Sequence, residues 1–438
     1  MGPINNTFMF KIYLRQAWNL VKQNKLFTSI YVIGTGLAIA LTMILFIVHY
    51  IKFAPIYPEE NRGRTLVIRR LTLHYNDNRG MYQSNCCSPY LGKYLKEQTR
   101  AEAVAVFGTS NTLSPKEIGK PGESNHSKGI IKMVNADFWK LFTFRFINGK
   151  PFTDVDLNSK QQVAVIQEET ALQLFGRTDV AGERILLEGK EMKIVGVVEN
   201  SSVATPDSYA AAWIPINDYA KQVQKEGLLG GFHIFLQAAT KAGVDSLKQE
   251  VIEAFRKYDA DHPETTHELK GQPVENWLSY YQYDKEVSVK EVVLKLLYLL
   301  LAMLFIPALN LSGMISSRMD QRQVEIGVRK AYGASNLAII KQVLGENLAL
   351  TVAGGIVGLL IAYLIIATCS QWILSLFDDT DLYSFAGISP RITPEMLFSS
   401  WIIGCAFGAC LLLNVISALI PTVWALRHSI IESLHSKL

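Results

Sequence analysis

Four long apolar runs, parted by polar stretches, organise this chain of 438 residues. They cover Leu26–Ile51, Leu296–Ile315, Leu348–Ala367 and Met396–Leu426. About 20 apolar residues span a bilayer as a helix, so each run predicts a transmembrane helix. The first contains no Asp, Glu, Lys or Arg. A cleavable signal peptide would have an apolar core of only about 7–15 residues, so this run reads as a retained anchor. Pro307 predicts a kink in the second run, because proline has no backbone donor. The fourth run is longer than a span needs, and its end leaves the membrane near Pro421.

Between the first two runs the pattern changes. Arg64–Tyr75 is rich in β-formers and partly alternating, and Gln161–Ile166 reads as a strand. The next residues read as a helix stopped by Gly176. Arg184–Val198 reads as a hairpin turning at Gly189-Lys190. Leu247, Val251, Phe255 and Tyr258 form a helical stripe for packing on a sheet. The polar, glycine-rich stretch Ser114–Gly129 reads as an exposed loop. The fold class expected is an integral membrane protein with four transmembrane α-helices and a large α+β extracytoplasmic domain between helices 1 and 2.

Lys and Arg in the flanks set the orientation. Residues 1–25 carry Lys11, Arg15, Lys22 and Lys25 and no acid, and the loop after the second run carries Arg318, Arg322, Arg329, Lys330 and Lys341. The loop after the third run carries Asp378, Asp379, Asp381 and Glu395 against a single Arg391. Both termini and the Arg318–Lys341 loop are therefore expected in the cytoplasm. The expected layout runs 1–25 (an amphipathic leading helix with Phe10, Leu14, Trp18 and Val21 near one face), 26–51 (helix 1), 52–289 (outer domain) and 290–315 (helix 2). It continues through 316–346 (cytoplasmic segment), 347–368 (helix 3), 369–395 (outer loop), 396–421 (helix 4) and 422–438 (tail).

Composition narrows the function. Hydrophobic residues make up 49 % of the chain and the net charge is +4, too mild for a nucleic-acid binder. The five cysteines show no CxxC spacing, so buried free thiols are expected rather than a zinc site or a disulfide framework. His262 and His267 are not in an HExxH motif, and GxSxG and GxxxxGK[ST] are absent, so the sequence supports no catalytic, cofactor or metal site in this chain. The spans hold no central Asp, Glu, Lys or Arg, which argues against an ion pathway at the midplane. Gly34 with Ala38, Gly354 with Gly358 and Gly404 with Gly408 are small-residue pairs that allow close helix approach, either within the chain or across a dimer.

The cytoplasmic segment Ser316–Glu346 is the most distinctive. Val324, Val328 and Ala331 follow helical spacing, with Arg322, Glu325 and Arg329 on the neighbouring face. Gly333 is placed to end one helix and Ser335 to cap the next, from about Asn336. A charge at the bilayer centre costs about 2.5–3.5 kcal/mol, so the basic residues hold this segment at the surface. By composition alone it reads first as a topology anchor with lipid-headgroup contact.

Arg322–Ser335, RQVEIGVRKAYGAS, resembles the signature R-x-x-E-I-G-hydrophobic-R-[KR]-A-hydrophobic-G-A of FtsX-like and MacB-like ABC transporter permeases, with Tyr332 where Leu or Ile is common. The stretches VNADFWKLFTFRFINGKPF, VAVIQEETALQLFG and AGERILLEGKEMKIVGVVEN are similar in order and spacing to the MacB-type periplasmic core domain. The two ends of the chain resemble the family's leading and closing helices, and the resemblance is weakest between Arg64 and Gly129. It implies that the segment docks on a separate cytoplasmic ATPase that binds ATP and Mg. Arg322, Arg329 and Lys330 would pair with acidic groups there, and Glu325, Ile326, Gly327, Val328, Ala331 and Gly333 complete the coupling surface. It also implies a second permease chain, in a bacterial inner membrane, with a periplasmic adaptor or outer-membrane channel as a further partner. The rival readings are a membrane sensor, control of a wall hydrolase, and a tethered enzyme. The substrate stays open among macrolide-like drugs, peptides, lipoproteins and haem-like compounds.

Overall fold

The computed structural model describes residues 25–76, 81–84, 86–109, 115–123, 126–216, 227–281, 288–321, 323–376, 396 and 400–426. The amphipathic leading segment, the Asp378–Glu395 loop and the tail after Leu426 lie outside them. The chain divides into two compact units. One takes the helical residues up to His49, Val293–Ser370 and those from 396 on; the other takes Tyr50–Val292 and the described residues from Gln371.

In the helical unit, α1 covers Lys25–Phe53. Among the described residues two helices are long and apolar enough to cross a membrane, Thr28–Phe53 and Asn336–Ser370. The other two apolar runs lie in helices Val289–Gln321 and Ser400–Ala425. Helical backbone continues through residue 307 in the first of these and through Pro421 in the second.

The inserted unit is α+β. Among the described residues it has a twelve-stranded mixed sheet. In spatial order the strands are Val274–Glu275, Thr65–Ile68, His233–Gln237, Ala103–Thr109, Ile131–Val134, Ala212–Pro215, Val163–Gln167, Lys190–Val198, Arg184–Leu187, Lys116–Gly119 and His126–Gly129, with Phe146–Gly149 pairing on Lys190–Val198. Two pairings are parallel, Ala212–Pro215 with Ile131–Val134 and Lys190–Val198 with Val163–Gln167. Helix α2 (Pro89–Gln98), capped by the Ser88 hydroxyl, and α4 (Val244–Asp261) bury Leu91, Leu95, Leu247, Val251 and Phe255 in the main core. Between them in sequence, α3 (Glu168–Phe175) ends at Gly176, whose φ of +67° is the left-handed closing conformation glycine adopts without strain. Phe107, Phe138, Phe142 and Phe235 form a fully buried aromatic cluster with edge-on contacts, an arrangement that ring quadrupoles favour.

One expectation is refined and three need correcting. The β-rich stretch Arg64–Tyr75 is two strands in different sheets, broken at Arg69-Arg70; Leu71–Tyr75 joins Thr265–Glu268 and Met81–Ser84 in a separate three-stranded sheet. The hairpin turns at Glu188-Gly189, with φ of 47° and 79°, one residue earlier than the glycine position suggested. A two-residue turn with both φ positive matches strand twist, and that decides the register. Lys116–Gly119 and His126–Gly129 are a hairpin at the sheet edge rather than a loop. Its polar residues face solvent, while Ile118 is fully buried. Cys87 is buried, but Cys369 is exposed on its helix, so burial does not hold for every free thiol.

Candidate coupling segment

The charged segment folds as a short helix between two apolar ones. Helix α5 is Val289–Gln321, α6 is Gln323–Ala331, α7 is Asn336–Leu376 and α8 is Ser400–Ala425. Arg322 lies outside the described residues. At the end of α6, Gly333 has φ +86°. The Ala334 amide donates to the Arg329 carbonyl (3.0 Å) and the Gly333 amide to the Lys330 carbonyl (3.0 Å), a Schellman closure. The Ser335 hydroxyl accepts from the Ala338 amide (3.3 Å) and opens α7. Local chemistry therefore forces a tight turn between α6 and α7.

The face that α6 buries differs from the spacing-based stripe. Ile326 and Gly327 are buried, whereas Val328 and Ala331 are exposed. Ile326 packs in a cluster with Ile315, Met319, Ile339, Val343 and Leu426. Neighbouring helices chose the buried face, and helical periodicity alone does not select between adjacent faces. Glu325 and Arg329 form an ion pair of 2.6 Å. Arg329 also donates to the Gln342 side chain, which donates to Glu346 (3.0 Å). Lys330 Nζ donates to the Leu426 carbonyl at the end of α8 (2.8 Å). Arg329 and Lys330 are thus engaged inside the chain and fasten α6 to the start of α7 and the end of α8. Sequence reasoning missed Gln342, Glu346 and the Leu426 carbonyl, which are distant in sequence. The outward side carries Val328, Tyr332 (89 % exposed) and Leu337.

The glycines divide into two groups. A Cβ at Gly358 would lie 2.4 Å from the Gly36 carbonyl oxygen, and one at Gly354 would lie 3.0 Å from Thr35 Cβ, so α7 crosses α1 at near backbone contact. The partner on α1 is Gly36, not Gly34; among the described residues, nothing outside their own helix turns lies within 4 Å of a Cβ added at Gly34, Gly404 or Gly408. Gly355 packs on Phe407 of α8 instead.

In the inserted unit, the His267 ring nitrogen Nδ1 donates to Asp259 (2.6 Å) and His262 stacks on Tyr258 (4.1 Å between centroids). Among the described residues no group of three His, Cys, Asp or Glu side chains is arranged to hold a metal.

Apolar helices on either side of an inserted α+β domain, with a short charged helix between two of them, are the domain order of an ABC transporter permease. The chain belongs to the MacB-like and FtsX-like family of these permeases. The MacB-like periplasmic core domain matches residues 28–254, and the FtsX-like permease C-terminal domain matches residues 297–430. A relative, the macrolide export ATP-binding/permease protein MacB of Escherichia coli K12, is 22 % identical over 367 residues, which is 82 % of this chain and 53 % of the relative. MacB 2 of Aeromonas hydrophila is 22 % identical over 330 residues, 73 % of this chain and 45 % of the relative. The chain thus spans about half the length of the curated relatives it matches. The periplasmic region of MacB from Actinobacillus actinomycetemcomitans is a structural neighbour, with a TM-score of 0.32 and 13 % identity over 48 % of this chain and 92 % of that one.

Proposed function

We propose that this chain is the permease subunit of an ABC exporter or mechanotransmitter. In this reading all four apolar runs span a bacterial inner membrane, both termini and α6 are cytoplasmic, and the inserted domain is periplasmic. A separate cytoplasmic ATPase binds ATP and Mg, and its closure pushes on α6. The permease works as a dimer and hands a substrate from the periplasm or outer leaflet to an adaptor or outer-membrane channel. That the relatives are macrolide export proteins makes apolar drug-like compounds the first substrates to try.

One observation carries the reading. The family motif forms a discrete, closed helix that is braced on α7 and α8 through Arg329 and Lys330. A force on α6 therefore reaches two apolar helices without passing through a loose loop. This also changes the expected chemistry of docking. With Arg329 and Lys330 occupied internally, Val328, Tyr332 and Leu337 form the outward contact, and the charges stiffen it.

The test is to reconstitute the chain with a candidate ATPase in lipid nanodiscs and compare the native permease with Glu325→Ala/Arg329→Ala. Loss of stimulated ATP turnover in a variant that keeps its unfolding midpoint is the expected result. Normal stimulation by the variant would overturn the coupling role and leave α6 a topology anchor.

A further inference from the structure

A buried ionic cluster lies in the inserted unit where the chain leaves α1. Arg62 (3 % exposed) donates through Nη1 to the Ile51 carbonyl and to the Ala54 carbonyl (3.2 Å). These are carbonyls at the end of a helix that have no partner within it. Arg62 is paired with Glu59 (2.7 Å; 1 % exposed). The other oxygen of Glu59 accepts from the Ser208 amide (3.0 Å) and hydroxyl (2.8 Å). Beside Ser208, Asp207 accepts from Arg69 (2.9 Å) and from the Tyr280 hydroxyl (2.8 Å). The Tyr280 ring lies 5.8 Å from both the Arg62 and Arg69 guanidinium carbons. Arg69 also reaches Ser279 (3.3 Å), and the Gln272 side chain accepts from the Arg69 amide (2.6 Å). Lys132 Nζ donates to the Asp207 carbonyl (2.7 Å).

The cluster thus joins three stretches distant in sequence: the end of α1, the Thr205–Ser208 turn, and Gln272–Tyr280, which leads toward α5. Burial opposes every charge in it. At Arg62 and Asp207 the neighbours override burial: Glu59 holds Arg62 charged, and Arg69 and Lys132 keep the Asp207 carboxyl below its usual range. Buried ion pairs give little net stability over apolar side chains of the same volume. What they do supply here is fixed direction, through hydrogen bonds that admit one geometry.

We propose that this cluster is a clamp that locks the end of α1 and the segment leading toward α5 to each other through Asp207 and Ser208, so that these stretches move as one body. Building on the permease reading, the clamp passes a displacement that reaches Ile51 and Ala54 on to the Thr205–Ser208 turn and Gln272–Tyr280.

The test is hydrogen–deuterium exchange on the full chain in nanodiscs, native against Tyr280→Phe and Asp207→Asn. It needs neither ATP nor an ATPase, so it stands apart from the coupling experiment. Tyr280→Phe removes one hydroxyl and keeps the ring. The expected result is faster exchange, by about tenfold, in peptides covering both 51–55 and 272–281, while the central strand Val163–Gln167 keeps its protection. Faster exchange in 272–281 alone, with 51–55 unchanged, would overturn the proposal. If Asp207→Asn also exposes Val163–Gln167, the fold itself has failed in that variant, and Tyr280→Phe decides.

Discussion

Gly358→Ala tests the backbone contact between α1 and α7. The new methyl carbon would sit 2.4 Å from the Gly36 carbonyl oxygen and 3.0 Å from Ile39 Cβ. Ordinary contact begins at 3.4 Å, and 3.4 minus 2.4 is 1.0 Å, so α1 and α7 must part by about that distance. The obstructing atom is backbone on a helix, so no side-chain rotation relieves it. Overpacking of this kind costs about 1–3 kcal/mol. The better helix propensity of alanine returns up to about 1 kcal/mol. The net expectation is a loss of up to about 2 kcal/mol, read as a lowered midpoint of unfolding in mild detergent. Gly34→Ala and Gly404→Ala are the controls, since nothing lies within 4 Å of either added Cβ. They keep the propensity gain and meet no obstacle among the described residues. If Gly358→Ala proves as stable as Gly34→Ala, the α1–α7 crossing is not held at backbone contact and the reasoning fails.

Two further outcomes follow from single residues. Burial pushes the Lys132 ammonium down to about 8 from an ordinary 10.5. Between those values the unfolded chain binds more protons than the folded one, so this residue makes stability rise with pH, by up to about 1.4 kcal/mol per unit. Lys132→Met should flatten the stability profile between pH 8 and 9.5, and an unchanged slope in chemical unfolding would refute the assignment. Gly333→Ala places a side chain at φ +86°, with nothing within 4 Å to clash, so backbone strain of about 1–2 kcal/mol is the whole expected cost. The expected readout is a weakened ATPase response from a chain that still folds; full stimulation would show that the turn tolerates other geometries.

The features set by neighbours along the chain were legible in the sequence. Apolar runs mark helices because every backbone group in lipid must be satisfied within its own segment. Gly176 and Gly333 mark helix ends because a left-handed residue closes the last turn locally. The family motif, with Ser335 opening the next helix, was readable for the same reason. What depends on distant partners was not. Strand order in the inserted sheet places Thr65–Ile68 beside His233–Gln237, and no local pattern encodes that pairing. Spacing could not tell which glycine of α1 meets α7, because Gly34 and Gly36 fit a small-residue pattern equally well. Nor could it say that Ile326 is buried and Val328 exposed, since adjacent helix faces differ only in what packs against them. Nothing local in the sequence marks Arg62 or Asp207 as buried. Only the tertiary structure brings both against the Tyr280 side chain, Arg62 at its ring and Asp207 at its hydroxyl, because a charge is held in a protein interior only where partners from several segments converge on it.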